Sequence, residues 1–279
     1  MSSTLSSTGD LRDFALDTAR RAGQLLRDLA GRHHTIGHKS TVFDLVTEAD
    51  LASERLIVAA IRERFPDHTI QSEEGLGDLS SVKQGVSHLW LVDPLDGTVD
   101  YAHGYPVWGV SLALSEADRM ELSVAYDPLR EELFWAERGH GAWLDYPGNR
   151  RVRLQVSKVA TLQDSLLATG FPYQRASLAD NNLTEFSAMM PRVQGVRRAG
   201  AAVLDLAHVA AGRLDGYWEK YLQPWDWASG WLLVEEAGGT VTTMDGSPWS
   251  LQEQNMVASN GLIHDKILNV FRPAPVAKE

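Results

Sequence analysis

A layered α/β fold is predicted for this chain by three features of its apolar pattern. Near the start, Leu11, Phe14, Ala15, Ala19, Ala22, Leu25, Leu26 and Leu29 recur at helical spacing, with Asp10 placed as an N-cap and Gly31 as a stop. Between residues 89 and 153 the apolar runs are short and rich in β-formers (LWLV, VWGVSLAL, LSVAY, LFWAE, RVRLQV). Turn signals such as Asp127-Pro128 and Pro147-Gly148-Asn149 separate them, which predicts a strand meander. Beyond residue 160 strands and helices alternate, as expected of helices packed on a sheet.

A second helix is predicted from about Asp50 through Leu56, Ile57, Ala60 and Ile61 to Phe65, where Pro66 breaks it. The polar stretch between the first two helices, GRHHTIGHKSTVFD, reads as a loop, and its His33, His34 and His38 as solvated residues rather than a transition-metal site. In the C-terminal part the expected order is a strand near LLATG, helices over 182–190 and 201–211, a strand at GYWE and a helix over 226–237 capped by Gly238 and Gly239. Strands TVTTM and MVASN, a last helix over 264–271 and a frayed tail, RPAPVAKE, complete it. Two α/β layers are expected to meet near residue 155, dividing the chain into halves 1–155 and 156–279.

The composition narrows the function. A chain of 279 residues, 44% hydrophobic and 23% charged, holds one large domain or two packed smaller ones. Its formal net charge of -11 argues against nucleic-acid and anionic-membrane partners, which need a basic face. A phosphorylated substrate is repelled too, so an acidic protein that handles phosphate needs local positive charge, and bound metal ions are the usual supply. With no cysteine there is no thiol nucleophile and no disulfide framework. The N-terminus shows no signal-peptide pattern and no window approaches eighteen apolar residues, so a cytoplasmic location is expected.

The most informative segment is HLWLVDPLDGTVDY, residues 88 to 101. An apolar strand ends in Asp93 and Asp96, and Pro94 fixes a turn that lets both carboxylates and the Leu95 carbonyl face one place, a donor set suited to a hard cation. Gly97 permits close backbone approach and Thr98 brings a hydroxyl, so metal and phosphate are expected to share one turn. Asp-Gly alone is an ordinary turn dipeptide; the full string is far more specific. Glu73 and Glu74 follow a short apolar stretch, while Asp50 and Asp226 stand at helix starts, where an aspartate in isolation is a cap. Trp225, Trp227 and Trp231 read as helix packing, with Trp227 the one placed to edge a pocket.

Together these segments resemble the inositol monophosphatase family, a branch of the lithium-sensitive, metal-dependent phosphatases. Its two signatures match WLVDPLDGTVDY (90–101) and PWDWASGWLLVEEAGG (224–239). Supporting matches are KSTVFDLVTEAD (39–50), SEE (72–74), GFPY (170–173) and RRAGAAVLDLAHVAAGRLDGYWE (197–219).

The resemblance implies a five-layered αβαβα sandwich, a homodimer, and two or three Mg2+ ions held by Glu73, Asp93, the Leu95 carbonyl, Asp96 and Asp226. It further implies that Glu73 and Thr98 activate water with Asp50 supporting the threonine, and that Gly97 and Thr98 bind phosphate. Ala202, Glu219 and Asp226 would meet the substrate, and Lys39 would sit on a loop near the metals. The implied activity is hydrolysis of a small phosphorylated polyol, inositol monophosphate foremost. Fructose 1,6-bisphosphate, histidinol phosphate and adenosine 3',5'-bisphosphate are the alternatives, and a noncatalytic interaction module is the alternative of another class.

Three departures bear on the substrate. The usual DGTTNF or DGTINF reads DGTVDY, with Val99 and Asp100; Tyr221 stands where many members have glycine; and the usual AAG is Ala228-Ser229-Gly230.

Overall fold

The first apolar stripe folds as α1 (Thr8–Leu29), burying Leu11, Ala15, Ala19, Ala22 and Leu26. The structure, a computed structural model, describes residues 8–31, 36–41, 44–78 and 85–272. A short antiparallel hairpin follows, β1 (Ile36–His38) with β2 (Leu45–Thr47), and then α2 (Glu48–Arg64). Next β3 (Thr69–Ser72) lies parallel to β4 (His88–Asp96), which leads into α3 (Thr98–His103). The meander continues antiparallel through β5 (Gly109–Glu116), β6 (Arg119–Asp127), β7 (Glu132–Glu137), β8 (Gly141–Tyr146) and β9 (Arg150–Arg153), giving a seven-stranded sheet in sequence order from β3 to β9.

A smaller sheet follows, built from β10 (Leu166–Thr169), β11 (Gly195–Arg197), β12 (Gly216–Glu219), β13 (Thr240–Thr243) and β14 (Met256–Ser259) in the order β11-β10-β12-β14-β13. Its helices are α4 (Leu183–Met189), α5 (Ala202–Ala210), α6 (Pro224–Glu236) and α7 (His264–Phe271).

Both sheets are covered on both faces, which is why their strands read as apolar runs and not as polar alternation. On β4, Trp90 and Val92 pack against α1 and α2, while Leu89 and Leu91 face α5 and α6. On β12, Tyr217 faces the same two helices and Trp218 turns toward Ile267 and Leu268 of α7. Three apolar slabs therefore separate five layers: α1/α2, large sheet, α5/α6, small sheet, α4/α7. No helix of the described residues is long and apolar enough to cross a membrane.

Local details differ from the sequence reading for physical reasons. α1 begins at Thr8, so Asp10 lies in its first turn and not at its cap. α2 is capped by Thr47 and α6 by Gln223, each closing a capping box in which the aspartate, Asp50 or Asp226, is the third helical residue. The hairpin places His38 in β1, within the stretch read as a loop; His33 and His34 lie outside the described residues. β8 and the three-residue β11 were not separable from their turns by pattern. β9 ends at Arg153 because the chain turns away: Leu154 N–H still bonds Ala142, but Val156 N–H bonds the carbonyl of Ala237 beyond α6. The tail from residue 273 onward lies outside the described residues.

Gly230 marks the tightest approach of α6 to α5: a Cβ there would lie 2.3 Å from Leu206 Cδ1 and 2.4 Å from Leu206 Cβ. Gly→Ala inside a helix ordinarily stabilises by up to about 1 kcal/mol. Here the overlap with a buried side chain near its root outweighs that gain, so Gly230→Ala is expected to lower stability by about 1–3 kcal/mol in urea denaturation; an increase would show that α5 and α6 are not packed this closely.

Candidate active site

The site begins where β4 leaves its ladder. Asp93 pairs opposite Ser111 and Asp96 opposite Gly109, so the register shifts between the two aspartates, at the residue that has no N–H to give. Asp93 is buried and its Oδ1 accepts the Leu95 N–H at 3.0 Å, while the Pro94 carbonyl accepts the Ser53 hydroxyl at 2.7 Å. Gly97 adopts φ 89°, and a Cβ there would lie 2.7 Å from the Val107 carbonyl oxygen, so glycine is required on two counts. Thr98, buried, opens α3.

Other elements bring their groups to this turn. Asp50 is fully buried in the first turn of α2; its Oδ2 accepts the Thr47 N–H at 2.8 Å and the Thr47 hydroxyl at 2.5 Å. Its Oδ1 lies 2.8 Å from Thr98 Oγ1, which is also 3.1 Å from the Leu95 carbonyl. Thr98 has one proton, and the carboxylate is the stronger acceptor. Glu73 leaves the end of β3, with its N–H on the Val92 carbonyl at 3.2 Å. Asp226 is fixed in the first turn of α6 by the Gln223 N–H at 2.7 Å. The Val203 N–H at the start of α5 holds Asp96 Oδ2 at 2.7 Å and ties the large sheet to the helix layer behind it.

The residues to which the resemblance assigns a role, except Asp50, line one cavity of about 360 Å³: Lys39, Glu73, Asp93, Leu95, Asp96, Gly97, Thr98, Ala202, Glu219 and Asp226, with Asp50 directly behind Thr98. Glu219 accepts the Tyr217 hydroxyl and lies where a Cβ on Gly170 would collide with it. Trp225 lines the cavity, whereas Trp227, expected at its edge, is fully buried among the helices. Tyr221 also lines it with φ 62°, a left-handed conformation that explains why glycine suits the position. Asp100 is not on the wall; one of its oxygens is buried without a partner beneath Gly200, and burial raises its carboxyl to about 6. The sequence reading passed over Asp205, Arg198 and Tyr173, which also line the cavity. Asp205 sits in the first turn of a strongly apolar helix, and only the fold shows that this turn faces the site.

The family model for the inositol monophosphatase family matches residues 9–275. This chain belongs to the inositol monophosphatase family. It is 44% identical to an inositol-1-monophosphatase of Synechocystis over 94% of this chain and 89% of the relative. It is 43% identical to the Nus factor SuhB of Pseudomonas aeruginosa over 94% and 95%. Among solved structures, an inositol monophosphatase from Anabaena superposes with a TM-score of 0.83 at 39% identity, covering 98% of this chain and 99% of that one. A Thermotoga maritima IMPase gives 0.82 at 35% identity, covering 92% and 95%.

In this family member the acidic end of the cavity is electrostatically unbalanced. Burial first, and then the neighbouring acids Glu73, Asp96 and Asp226, push the Asp93 carboxyl well above its ordinary range. Asp96 and Asp226 are raised for the same reasons. Burial also raises Glu74, to about 8. Lys39 answers part of this charge: its ammonium bonds Glu73 at 2.8 Å and also Glu74, and although burial opposes its charge, the two carboxylates hold it protonated. Among the described residues no group of three acidic or histidine side chains is already arranged to hold a metal ion. The donors of the acidic end are all oxygens under mutual repulsion, which fits a hard divalent cation.

The strain has a definite pH sign. A carboxyl whose folded-state pKa is raised binds more protons folded than unfolded, so its contribution to stability falls as pH climbs above about 4. In chelator at pH 8, Asp93→Asn is therefore expected to melt above the wild type, by about 2–4 °C for each kcal/mol of repulsion relieved, with the gap shrinking toward pH 5. Differential scanning calorimetry that found the variant less stable at pH 8 would remove the repulsion argument.

Proposed function

We propose that this protein is a magnesium-dependent phosphomonoesterase for small phosphorylated polyols, with inositol monophosphate as the reference substrate. The observation that carries this reading is the meeting, in one cavity, of an oxygen-only rim from β3, β4 and α6 with the Thr98–Asp50 pair. Two or three magnesium ions held by Glu73, Asp93, the Leu95 carbonyl, Asp96 and Asp226 would supply positive charge for the phosphoryl oxygens and lower the pKa of water.

The chain's own groups do the positioning. Thr98 gives its only proton to Asp50, which leaves the lone pairs of Oγ1 to accept a hydrogen from the attacking water. Asp50 cannot swing away, because two donors of Thr47 grip its other oxygen. Glu73, at the end of β3, flanks the same water, and Gly97, having no side chain, lets a phosphate close on the turn. Asp226, Ala202 and Glu219 face the alcohol; as the water oxygen bonds phosphorus the P–O bond to the alcohol breaks, and the leaving oxygen takes up the proton that the water gives up. The proposal includes a cytoplasmic homodimer. Relatives named as Nus factors do not displace it, since Asp50, Glu73, Asp93, Asp96 and Asp226 are all present and converge, which an interaction module would not require.

Purified protein should release phosphate from inositol 1-phosphate with magnesium and not with chelator, faster than from fructose 1,6-bisphosphate or adenosine 3',5'-bisphosphate. Asp93→Asn should lose at least about a thousandfold in kcat with its circular dichroism intact, and Thr98→Ala about a hundredfold or more. Turnover in chelator, or wild-type turnover by Asp93→Asn at saturating magnesium, would overturn the assignment.

A further inference from the structure

Next to the point where the Val203 N–H meets Asp96, the first turn of α5 presents Asp205. The residue is 4% exposed and lines the cavity, yet no hydrogen bond or ion pair among the described residues engages its carboxyl. Unpartnered buried carboxyls are costly, and the protein keeps this one next to a second acid, Glu219. Burial, followed by Glu219, raises Asp205 well above the ordinary carboxylate range, and Glu219 is itself raised to about 7 by burial.

The basic groups nearby offset the pair only in part: the Arg198 guanidinium lowers both carboxyls, but by less than burial raises them. Lys220 lines the cavity but is committed to Asp180 and Glu185, the latter at 2.7 Å. Arg198 is exposed and has no ion pair within 4.0 Å among the described residues. This wall thus offers one carboxyl without a donor, Asp205, beside a second, Glu219, that accepts only the Tyr217 hydroxyl among the described residues, and the pair opposes any anion that the alcohol part of a substrate carries.

We propose that Asp205 is a specificity-determining residue: its carboxyl takes a hydrogen-bond donor of the substrate's alcohol, a hydroxyl or an ammonium, and with Glu219 it turns away an alcohol that bears a second anion. The inference rests on the phosphatase reading above and adds to it which alcohols are accepted. Donor-bearing substrates complete the wall, since a site built to bond a hydroxyl or amine discriminates strongly against an analogue lacking it.

The test is a ring-matched series: cyclohexyl phosphate, 4-hydroxycyclohexyl phosphate, 4-aminocyclohexyl phosphate and cyclohexane-1,4-diol bisphosphate, assayed with magnesium. The wild type is expected to favour the hydroxy or amino ester over the cyclohexyl ester by about tenfold or more in kcat/KM, and to use the bisphosphate least. Whichever of the two donor esters leads identifies the group that Asp205 binds. In Asp205→Ala the donor-to-cyclohexyl ratio should collapse toward one and the bisphosphate should gain relative to the monoesters. Asp205→Asn, close in shape, should keep the fold and recover only the part of the ratio that does not depend on charge. These ratios are insensitive to the fraction of protein that folds. If both variants slow all esters equally and keep the wild-type ratios, Asp205 is structural and the inference fails. If the wild type hydrolyses all four equally well, the inference fails while the phosphatase reading stands. If it hydrolyses none, the phosphatase reading fails first.

Discussion

Mutual repulsion among acids is the constraint on which the rest of this structure turns. Asp93, Asp96 and Asp226 are pressed together with Glu73 beside one cavity, and burial together with their proximity disfavours their charged forms. A folded chain tolerates such a cluster only where the backbone over-determines it. Here each member is gripped from the main chain: Asp93 by Leu95, Asp96 by Val203 and Asp226 by Gln223. Lys39 supplies positive charge to Glu73 from the loop that joins β1 to β2, where its N–H bonds the Asp44 carbonyl.

The five-layer arrangement explains how acids distant in the chain arrive together. β4 delivers two of them at a strand end, β3 runs parallel beside it and delivers Glu73 at the same end, and α6, sandwiched between the sheets, delivers Asp226 in its first turn. The bond from Val203 to Asp96 fixes α5 against β4, so the acidic rim and the cavity wall on α5 are held in one frame. On this account rim and wall divide the work, the rim handling phosphoryl charge and the wall, through Glu219 and Asp205, selecting the alcohol.

Much of this was legible in the sequence because its signals are local. The string from Asp93 to Thr98 needs proline, glycine and two aspartates within six positions, and the fold keeps them in one turn. The long amphipathic α1 and the strand meander were equally plain. What escaped depends on partners far along the chain. Capping by Thr47 and Gln223 makes Asp50 and Asp226 third helical residues and aims their carboxyls inward, which residue types alone do not reveal. Asp205 hides in an apolar helix, Trp225 and Trp227 exchange the roles expected of them, and Asp100 turns under Gly200.

The most direct test is crystallographic: Mn2+ soaked into crystals of the wild type and of Asp93→Asn, with anomalous scattering used to locate the ion. The account predicts two or three peaks in the wild type, bounded by Glu73, Asp93, the Leu95 carbonyl, Asp96 and Asp226, and loss of at least one in the variant. A wild-type map with no peak at this rim at millimolar Mn2+, or one unchanged by Asp93→Asn, would contradict it.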